Sequence, residues 1–462
     1  MQSLSRRRVL LLSAAALPVL AVGCAGSFDP EAVPESVERF PRTPIAGDMT
    51  TTRVVIVFHV ADDTAVTLRV WSGEEVVVDE AVAPSGDGFH KVRIDDLAPG
   101  TTYKYAVFSG DAPHFESRGL IGQFRTAPPE DALVPVRIAL LCCVGQGTVI
   151  PDYFMPEGSE RPTTEPFQWE VFTHAAGYDL DALVHLGDQA YLDFVWSTAG
   201  GTLEAYLNAW GYYHGGGYRD IYPLAGLYAT WDDHEATDNG QFDPWDMTAE
   251  EEVKLANAKA AFYKVVPIDA LTPDEAPVWR GFRWGQTLEL LLLDVRYELT
   301  AEHYMTEAQL AWLIERIASS PCKFVCIATP RPFAEITTSV PLSSDSAARW
   351  EGYPVDRERL AAALDAPDAP RVIFVTGDIH MNYLGRTSIS GDAPSERSWE
   401  VCCTSGNVNP LAAGLSEEQF VFVDTAPHLP VLTFDGEAGT VHVAFYAKDG
   451  SLAFERTLDD AS

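Results

Sequence analysis

Two patterns of apolar residues divide the chain. Over residues 53–126 short alternating segments are punctuated by turn residues, at 54–58, 65–70, 75–78, 89–94, 103–108 and 122–124. Alternation of period two predicts half-buried strands, and turn signals at regular spacing predict a β-sandwich. Ala127-Pro128-Pro129-Glu130-Asp131 then reads as a linker. Beyond it the runs become continuously apolar, at 137–141, 183–186, 227–230, 286–294, 323–328 and 372–376, and alternate with helical stretches. That change marks strands buried on both faces and an α/β organisation. Helices are predicted over 248–265, rich in Ala, Glu and Lys, and over 306–319. The second opens with Thr306-Glu307-Ala308-Gln309, a capping-box pattern, and carries Leu310, Leu313, Ile314 and Ile317 on one face. Residues 431–458 return to alternation and are expected to complete a sheet.

Four of the apolar strands end in residues that can do chemistry. They run into Cys142-Cys143, Gly187-Asp188, Trp231-Asp232-Asp233-His234-Glu235 and Gly377-Asp378-Ile379-His380. The carboxyl ends of strands are where α/β sheets assemble sites. A lone Gly-Asp is commonly a turn. Four such ends in one chain are instead expected to meet. Carboxylates can bridge paired hard metals, and imidazole or thiolate selects a transition metal on one side. Asp188 is the natural bridge, and Tyr191 can turn back toward the same ion as a phenolate, which suits Fe(III). Asp378 and His380, two apart in extended backbone, are expected to face the same way. Asp233 supplies a further carboxylate, while His234 is expected to point elsewhere and be free to act on substrate.

Composition and charge narrow the function. The 462 residues are 47 % hydrophobic, ordinary for a globular chain of two or more domains, but the formal net charge is −35. A nucleic-acid-coating protein needs a basic face to displace counterions, so sequence-specific nucleic-acid binding is excluded as an expectation. An anionic substrate would need positive charge from the site itself, which bound metal supplies.

Ser5-Arg6-Arg7-Arg8-Val9-Leu10-Leu11 is a twin-arginine pattern, followed by an apolar stretch to Val22 too short to read as a membrane span. Ala21-Val22-Gly23-Cys24 reads as a lipobox; the alternative is an ordinary cleavable signal with an incidental cysteine. The expectation is a signal peptide over 1–23, lipidation at Cys24 and a disordered Pro/Glu/Ser tether within 24–48. The mature protein would be a periplasmic or cell-surface lipoprotein exported by the twin-arginine (Tat) route, touching the membrane through its lipid alone. That route carries folded proteins, which suits a chain that loads metal first. Six cysteines remain, with no Cys-x-x-Cys spacing; Cys322 and Cys326 are expected as small core hydrophobes.

The order Arg-x-Ala-x-x-x-Cys (from Arg137), His-Leu-Gly-Asp-x-x-Tyr (from His185), Trp-Asp-Asp-His-Glu (from Trp231) and Thr-Gly-Asp-x-His (from Thr376) resembles the PhoD-type alkaline phosphatase/phosphodiesterase family, of the calcineurin-like metallophosphoesterases. Leu293-Asp294-Val295-Arg296 and Trp350-Glu351-Gly352-Tyr353-Pro354-Val355-Asp356-Arg357 are similar to further family segments. The resemblance implies a metallophosphoesterase β-sandwich flanked by helices over 135–462. A small all-β domain over 49–128 would precede it, its Leu97–Tyr105 stretch resembling fibronectin type III or Ig-like modules, as a packing or spacer unit.

Carried across, the resemblance implies Fe(III) held by Cys143, Asp188, Tyr191 and His380, and Ca2+ held by Asp188, Asp233, Asn239 and Asp378. Zn2+ or Mn2+ is the alternative metal filling. Asp188 and His234 are implied as catalytic, with Arg357 and Asp232 as further candidates or structural residues. The implied activity is hydrolysis of small phosphate esters, favouring diesters, by metal-bound hydroxide, in a monomer. The rival reading is a cell-surface binding lipoprotein with a structural or degenerate metal site. Cys142, Val144, Gln189-Ala190 and Asp238 depart from the family pattern, and the stretch containing His214-Gly215-Gly216-Gly217 matches it poorly, so substrate choice is not carried over.

Overall fold

A computed structural model describes residues 29–110, 112, 114–145, 169–237, 245–336, 349–387, 398–407 and 419–459. The signal segment, Cys24 and Asp238-Asn239 lie outside the described residues. The amino-terminal strands are β1 (Ile45–Gly47), β2 (Val54–His59), β3 (Val66–Ser72), β4 (Glu75–Val82), β5 (Phe89–Ile94), β6 (Thr102–Ser109), β7 (Ser117–Arg118) and β8 (Gly122–Arg125). There follow β9 (Val136–Leu141), β10 (Ala182–His185), α1 (Asp193–Ser197), α2 (Leu203–Gly215), β11 (Gly226–Ala229) and α3 (Ala249–Val265). Next come β12 (Arg280–Trp284), β13 (Leu288–Leu292), α4 (Glu307–Ser319), β14 (Phe324–Ala328), α5 (Pro354–Leu364) and β15 (Arg371–Thr376). The chain ends in β16 (Asn382–Arg386), β17 (Ser398–Cys402), β18 (Phe420–Asp424), β19 (His428–Asp435), β20 (Thr440–Ala447) and β21 (Leu452–Leu458).

Two large sheets face each other. One runs β21-β20-β19-β9-β10-β11-β1-β2-β5 and the other β12-β13-β14-β15-β17-β16-β18, while β4-β3-β6-β7, with β8 on β6, forms a third. Strand residues alternate between cores, which explains the continuously apolar runs. In β10, Ala182 and Val184 point to the core between the sheets, and Leu183 to the core under α2 and α3. In β14, Phe324, Cys326 and Ala328 face the inter-sheet core, and Val325 and Ile327 face α4 and α5. The layers are therefore helices, sheet, sheet, helices. Because β9, β10 and β11 are parallel, as are β13, β14, β15 and β17, the carboxyl ends of each group lie together.

The helix expected from 306 starts at Glu307, and its capping box forms only on one side. Thr306 Oγ1 accepts from Gln309 N at 3.3 Å, but the Gln309 amide turns away to hold both N and O of Asp294, at 2.9 and 2.8 Å. That bond ties α4 to the end of β13. The box at α3 is complete, Thr248 with Glu251.

The tether expected over 24–48 is corrected for its described part. Phe40, Thr43 and residues 45–49 are buried, and β1 is inserted between β2 and β11, antiparallel to the first and parallel to the second. Backbone carbonyls of this segment accept from distant phenols: Pro44 O from Tyr105 (3.0 Å) and Met49 O from Tyr228 (2.7 Å). Asp48 takes a forked ion pair from Arg280, with a closest approach of 2.7 Å. Few apolar residues are needed when a neighbouring strand edge supplies the hydrogen bonds, so hydropathy gave little signal here. The amino-terminal strands are correspondingly more than a spacer: β2 and β5 extend the same sheet that carries β9 to β11.

Gly47 is where this insertion is tightest, since a Cβ there would clash with the Leu227 carbonyl and the Pro267 ring. Gly47→Val should therefore lower unfolding stability by about 1–3 kcal/mol. Denaturant unfolding checks this, and an unchanged midpoint would contradict the insertion of β1.

Candidate metal centre

The carboxyl ends of β9, β10, β11 and β15 deliver Cys143, Asp188, Asp233 and the Asp378/His380 pair to one place. The backbone there is unusual. Cys143, Asp188, Asp378 and His380 all have positive φ, of 49°, 53°, 66° and 56°. Non-glycine residues in this region cost about 1–3 kcal/mol each and persist where the surroundings over-determine them. Gly187 (φ 103°) allows the close crossing of β10 and β11, because a Cβ would lie 2.7 Å from Asp232 N. Asp378 and His380 are thus not extended neighbours facing one way, as the spacing predicted; each sits at its own left-handed turn.

Three sets of ligand atoms lie within 4.8 Å of one another: Cys143, Asp188 and His380; Asp188, Asp233 and His234; Asp232, Asp233 and Asp378. Asp188 and Asp233 each belong to two sets, and Asp188 is the one that links the thiol and His380 to the carboxylates, as a bridge would. Tyr191 joins the first, its hydroxyl 3.2 Å from Asp188 Oδ2 and 3.3 Å from His380 Nε2. The neighbouring Cys142 Sγ lies 3.3 Å from Cys143 Sγ and donates to Gly187 O at 3.4 Å. All six described cysteines are free thiols.

Electrostatics mark the cluster as short of positive charge. Burial pushes the Asp188 carboxyl well up, opposed by His234 and reinforced by Asp233 and Asp232. Burial raises Tyr191 and Cys143 too, the nearby anions adding to it. Asp188 Oδ1, Asp232 Oδ2 and Asp233 Oδ2 are buried with no hydrogen-bond partner. Such orphaned oxygens, beside a thiol, an imidazole and a phenol, fit metal cations as the missing partners.

His234 does not point elsewhere, as the sequence suggested; it stands in the cluster. Its Nδ1 is 2.6 Å from Asp193 Oδ1 at the start of α1, and its ring stacks on Tyr191 at 4.0 Å. Burial pulls its pKa down, but Asp233, Asp188 and Asp193 outweigh that and hold the imidazolium well above its ordinary range. Arg357, another candidate, donates to Phe333 O at 2.9 Å and lies over the Phe333 ring. Its described contacts support the loop after β14. Asn239 lies outside the described residues.

Sequence reasoning gave the supports no role: Arg296 and Glu235 stand in motifs already named, Arg331 and Glu400 in none. Arg296 bridges Asp232 (Nε to Oδ1, 2.9 Å) and Asp233 (Nη2 to Oδ1, 2.8 Å). Arg331, fully buried, lies between Asp232 (3.5 Å) and Asp378 (3.6 Å). Glu235 accepts from the backbone N–H of Asp188, Gln189 and Asp232, locking the β10 and β11 ends together. Glu400 accepts from Phe333 N and Ala334 N on one oxygen and from Thr376 and Tyr383 on the other. Arg331 follows a strand end in Thr329-Pro330-Arg331-Pro332, and that position was its one available signal.

The PhoD-like phosphatase family matches residues 164–448. The chain belongs to that family. Alkaline phosphatase D of Bacillus subtilis (strain 168) is 23 % identical over 349 residues, 66 % of this chain and 55 % of that protein. The chain thus spans about half the length of that relative. A solved structure of PhoD superposes with a TM-score of 0.70 at 19 % identity, covering 92 % of this chain and 91 % of that one. A purple acid phosphatase, PPD1 from yellow lupin, gives 0.60 at 13 % identity, covering 91 % and 75 %. Both share the PhoD-like chain's fold, and its strand-end site is built within that common frame.

Two predictions follow from the supports. Arg331→Met strands a buried carboxylate and should destabilise by about 3–5 kcal/mol. Adding Asp232→Asn should restore part of that, as read by denaturant unfolding of the two variants; no restoration would contradict the pairing. Burial pushes Glu400 up to about 7, against an ordinary 4.5. A raised carboxyl contributes stability that is complete below pH 4.5 and lost as pH rises through 7, by about 3 kcal/mol at most. Wild type should lose stability relative to Glu400→Gln across that window, and a constant difference would refute the assignment.

Proposed function

We propose that this PhoD-like protein is an exported, metal-dependent phosphoesterase acting on small phosphate esters. The observation that carries the reading is the convergence of Cys143, Asp188 and His380 with Asp233 and Asp378, three of the surrounding carboxylate oxygens being buried without partners. Fe(III) would be held by Cys143, Asp188, Tyr191 and His380, and Ca2+ by Asp188, Asp233, Asn239 and Asp378, with Zn2+ or Mn2+ as the alternative filling. Metals so bound supply Lewis-acid charge for the phosphoryl oxygens and lower the pKa of water.

The chain's own groups do the rest. Asp188 joins the two halves of the cluster. His234, charged and oriented by Asp193, stabilises or protonates the departing ester oxygen. Arg296 and Arg331 pair with Asp232, Asp233 and Asp378 and hold them in place. Arg357 acts through the Phe333 loop. A degenerate binding lipoprotein should have lost a member of this set, and each member among the described residues is present.

The reading includes the targeting signals and a monomeric state. Twin-arginine export and lipidation at Cys24 rest on the leader sequence, and among the described residues no helix is long and apolar enough to cross a membrane. A fibronectin type III-like character for 49–128 is supported by Tyr103, whose hydroxyl accepts from Ala98 N at 2.9 Å across the turn.

The test is hydrolysis of an aromatic phosphate diester and the matching monoester, with calcium and again after chelation. Turnover should be lost on chelation and fall by about two orders of magnitude or more in Asp378→Asn. The ester ratio gives the preferred class. Absence of turnover of either ester by folded, metal-loaded protein would overturn the reading.

A further inference from the structure

The loop after β13 holds the Asp232-Asp233 turn in two ways. Arg296 takes the two carboxylates, and Tyr297, one residue beyond the Leu293–Arg296 motif, takes the backbone. The Tyr297 hydroxyl makes a bifurcated donation, 2.9 Å from Asp232 O and 3.1 Å from Asp233 O. These carbonyls belong to the two peptide groups that flank Asp233. Peptide groups are planar, so fixing both fixes the backbone dihedrals of Asp233 and the direction in which its carboxylate leaves the chain. Asp233 O also accepts from Ala236 N (2.8 Å) and Thr237 N (2.9 Å), so the bond to Asp232 O is the hold that Tyr297 adds.

The phenol is itself held in place. Tyr297 N donates to Asp294 Oδ1 at 2.9 Å, and Gln309 of α4 fixes the backbone of Asp294. The ring meets Trp231 edge to face, with centroids 4.9 Å apart. On α3 the Lys259 ammonium lies 5.3 Å from the Tyr297 centroid and 5.6 Å from that of Trp231. At such distances a cation is attracted to the ring face. It also draws charge from the phenol, which strengthens the hydroxyl as a donor. A helix lysine ordinarily carries its charge out to water; this half-buried one brings it to the two rings that abut the turn.

We propose that Tyr297 is a positioning residue of the metal centre, aiming the Asp233 carboxylate, and that Lys259 acts through it by holding and polarising its ring. The inference rests on the metal-centre reading above and deepens it. Asp233 belongs to the set with Asp188 and His234 and to the set with Asp232 and Asp378, but not to that of Cys143, Asp188 and His380. Loosening Asp233 therefore weakens one metal position and spares the other.

The test counts the metal retained by the full chain during dialysis against rising chelator, by elemental analysis, with circular dichroism as the folding check. Tyr297→Phe keeps the ring and deletes only the hydroxyl. Tyr263→Phe is the control, because it deletes a comparable phenol-to-carbonyl bond, to Ala276 O at 2.8 Å, that does not touch the turn. One metal should leave Tyr297→Phe at roughly tenfold lower chelator than wild type, and the other at an unchanged concentration. Tyr263→Phe should follow wild type. Lys259→Met should shift the same metal in the same direction, and Lys259→Arg, which keeps a cation on the rings, should restore it. Coincident curves for wild type and Tyr297→Phe, or equal shifts in both Phe variants, would overturn the inference. Should Tyr297→Phe fail to fold, the Lys259 variants decide, and coincident curves for Lys259→Met and wild type refute it. A wild type that folds without metal would refute the metal-centre reading itself, and this inference with it.

Discussion

Asp188, Asp232 and Asp233 are held nearly out of water at the meeting point of two sheets, with the half-buried Asp378 beside them and the thiol of Cys143 close by. Taking an ion out of water costs several kcal/mol even after relaxation, so this cluster stands only if opposite charge is supplied. Arg296 and Arg331 supply part of it, from the ends of β13 and β14. They reach Asp232, Asp233 and Asp378 but leave Asp188 Oδ1 and Asp233 Oδ2 without partners. The remaining deficit falls on the side facing Cys143, Tyr191, His234 and His380, and there cations are expected.

The fold can be understood as what holds that arrangement still. Parallel strands bring their carboxyl ends to one edge, and left-handed residues turn each side chain inward. Glu235 and Glu400 clamp the loops by accepting backbone N–H groups, a use of buried carboxyls that costs less than leaving those donors unpaired. Even the amino-terminal strands contribute, since β1 closes the gap between β11 and β2.

The ligand types and the strands that carry them were legible because strand ends announce themselves: an apolar run stops at glycine or at a polar pair, as at Gly187-Asp188 and Gly377-Asp378. What failed were local geometry and pairing at a distance. The left-handed turns at Asp378 and His380 replace the extended backbone that the two-residue spacing suggested, because tertiary contacts override local preference. Arg331 and Glu400 carry no motif; Arg331 pairs with Asp232, 99 residues away, and Glu400 with Ala334, 66 residues away, and only the fold reveals them. The segment before β2 read as a tether because its burial rests on backbone hydrogen bonds to Tyr105 and Tyr228.

The central claim is that Asp188 joins two metal positions. The most direct measurement is the metal content of purified wild type and Asp188→Asn, with circular dichroism to verify folding. Loss of metal from both positions in a folded variant is the predicted result. Unchanged metal content in Asp188→Asn, or a folded wild type that retains no metal, would contradict it.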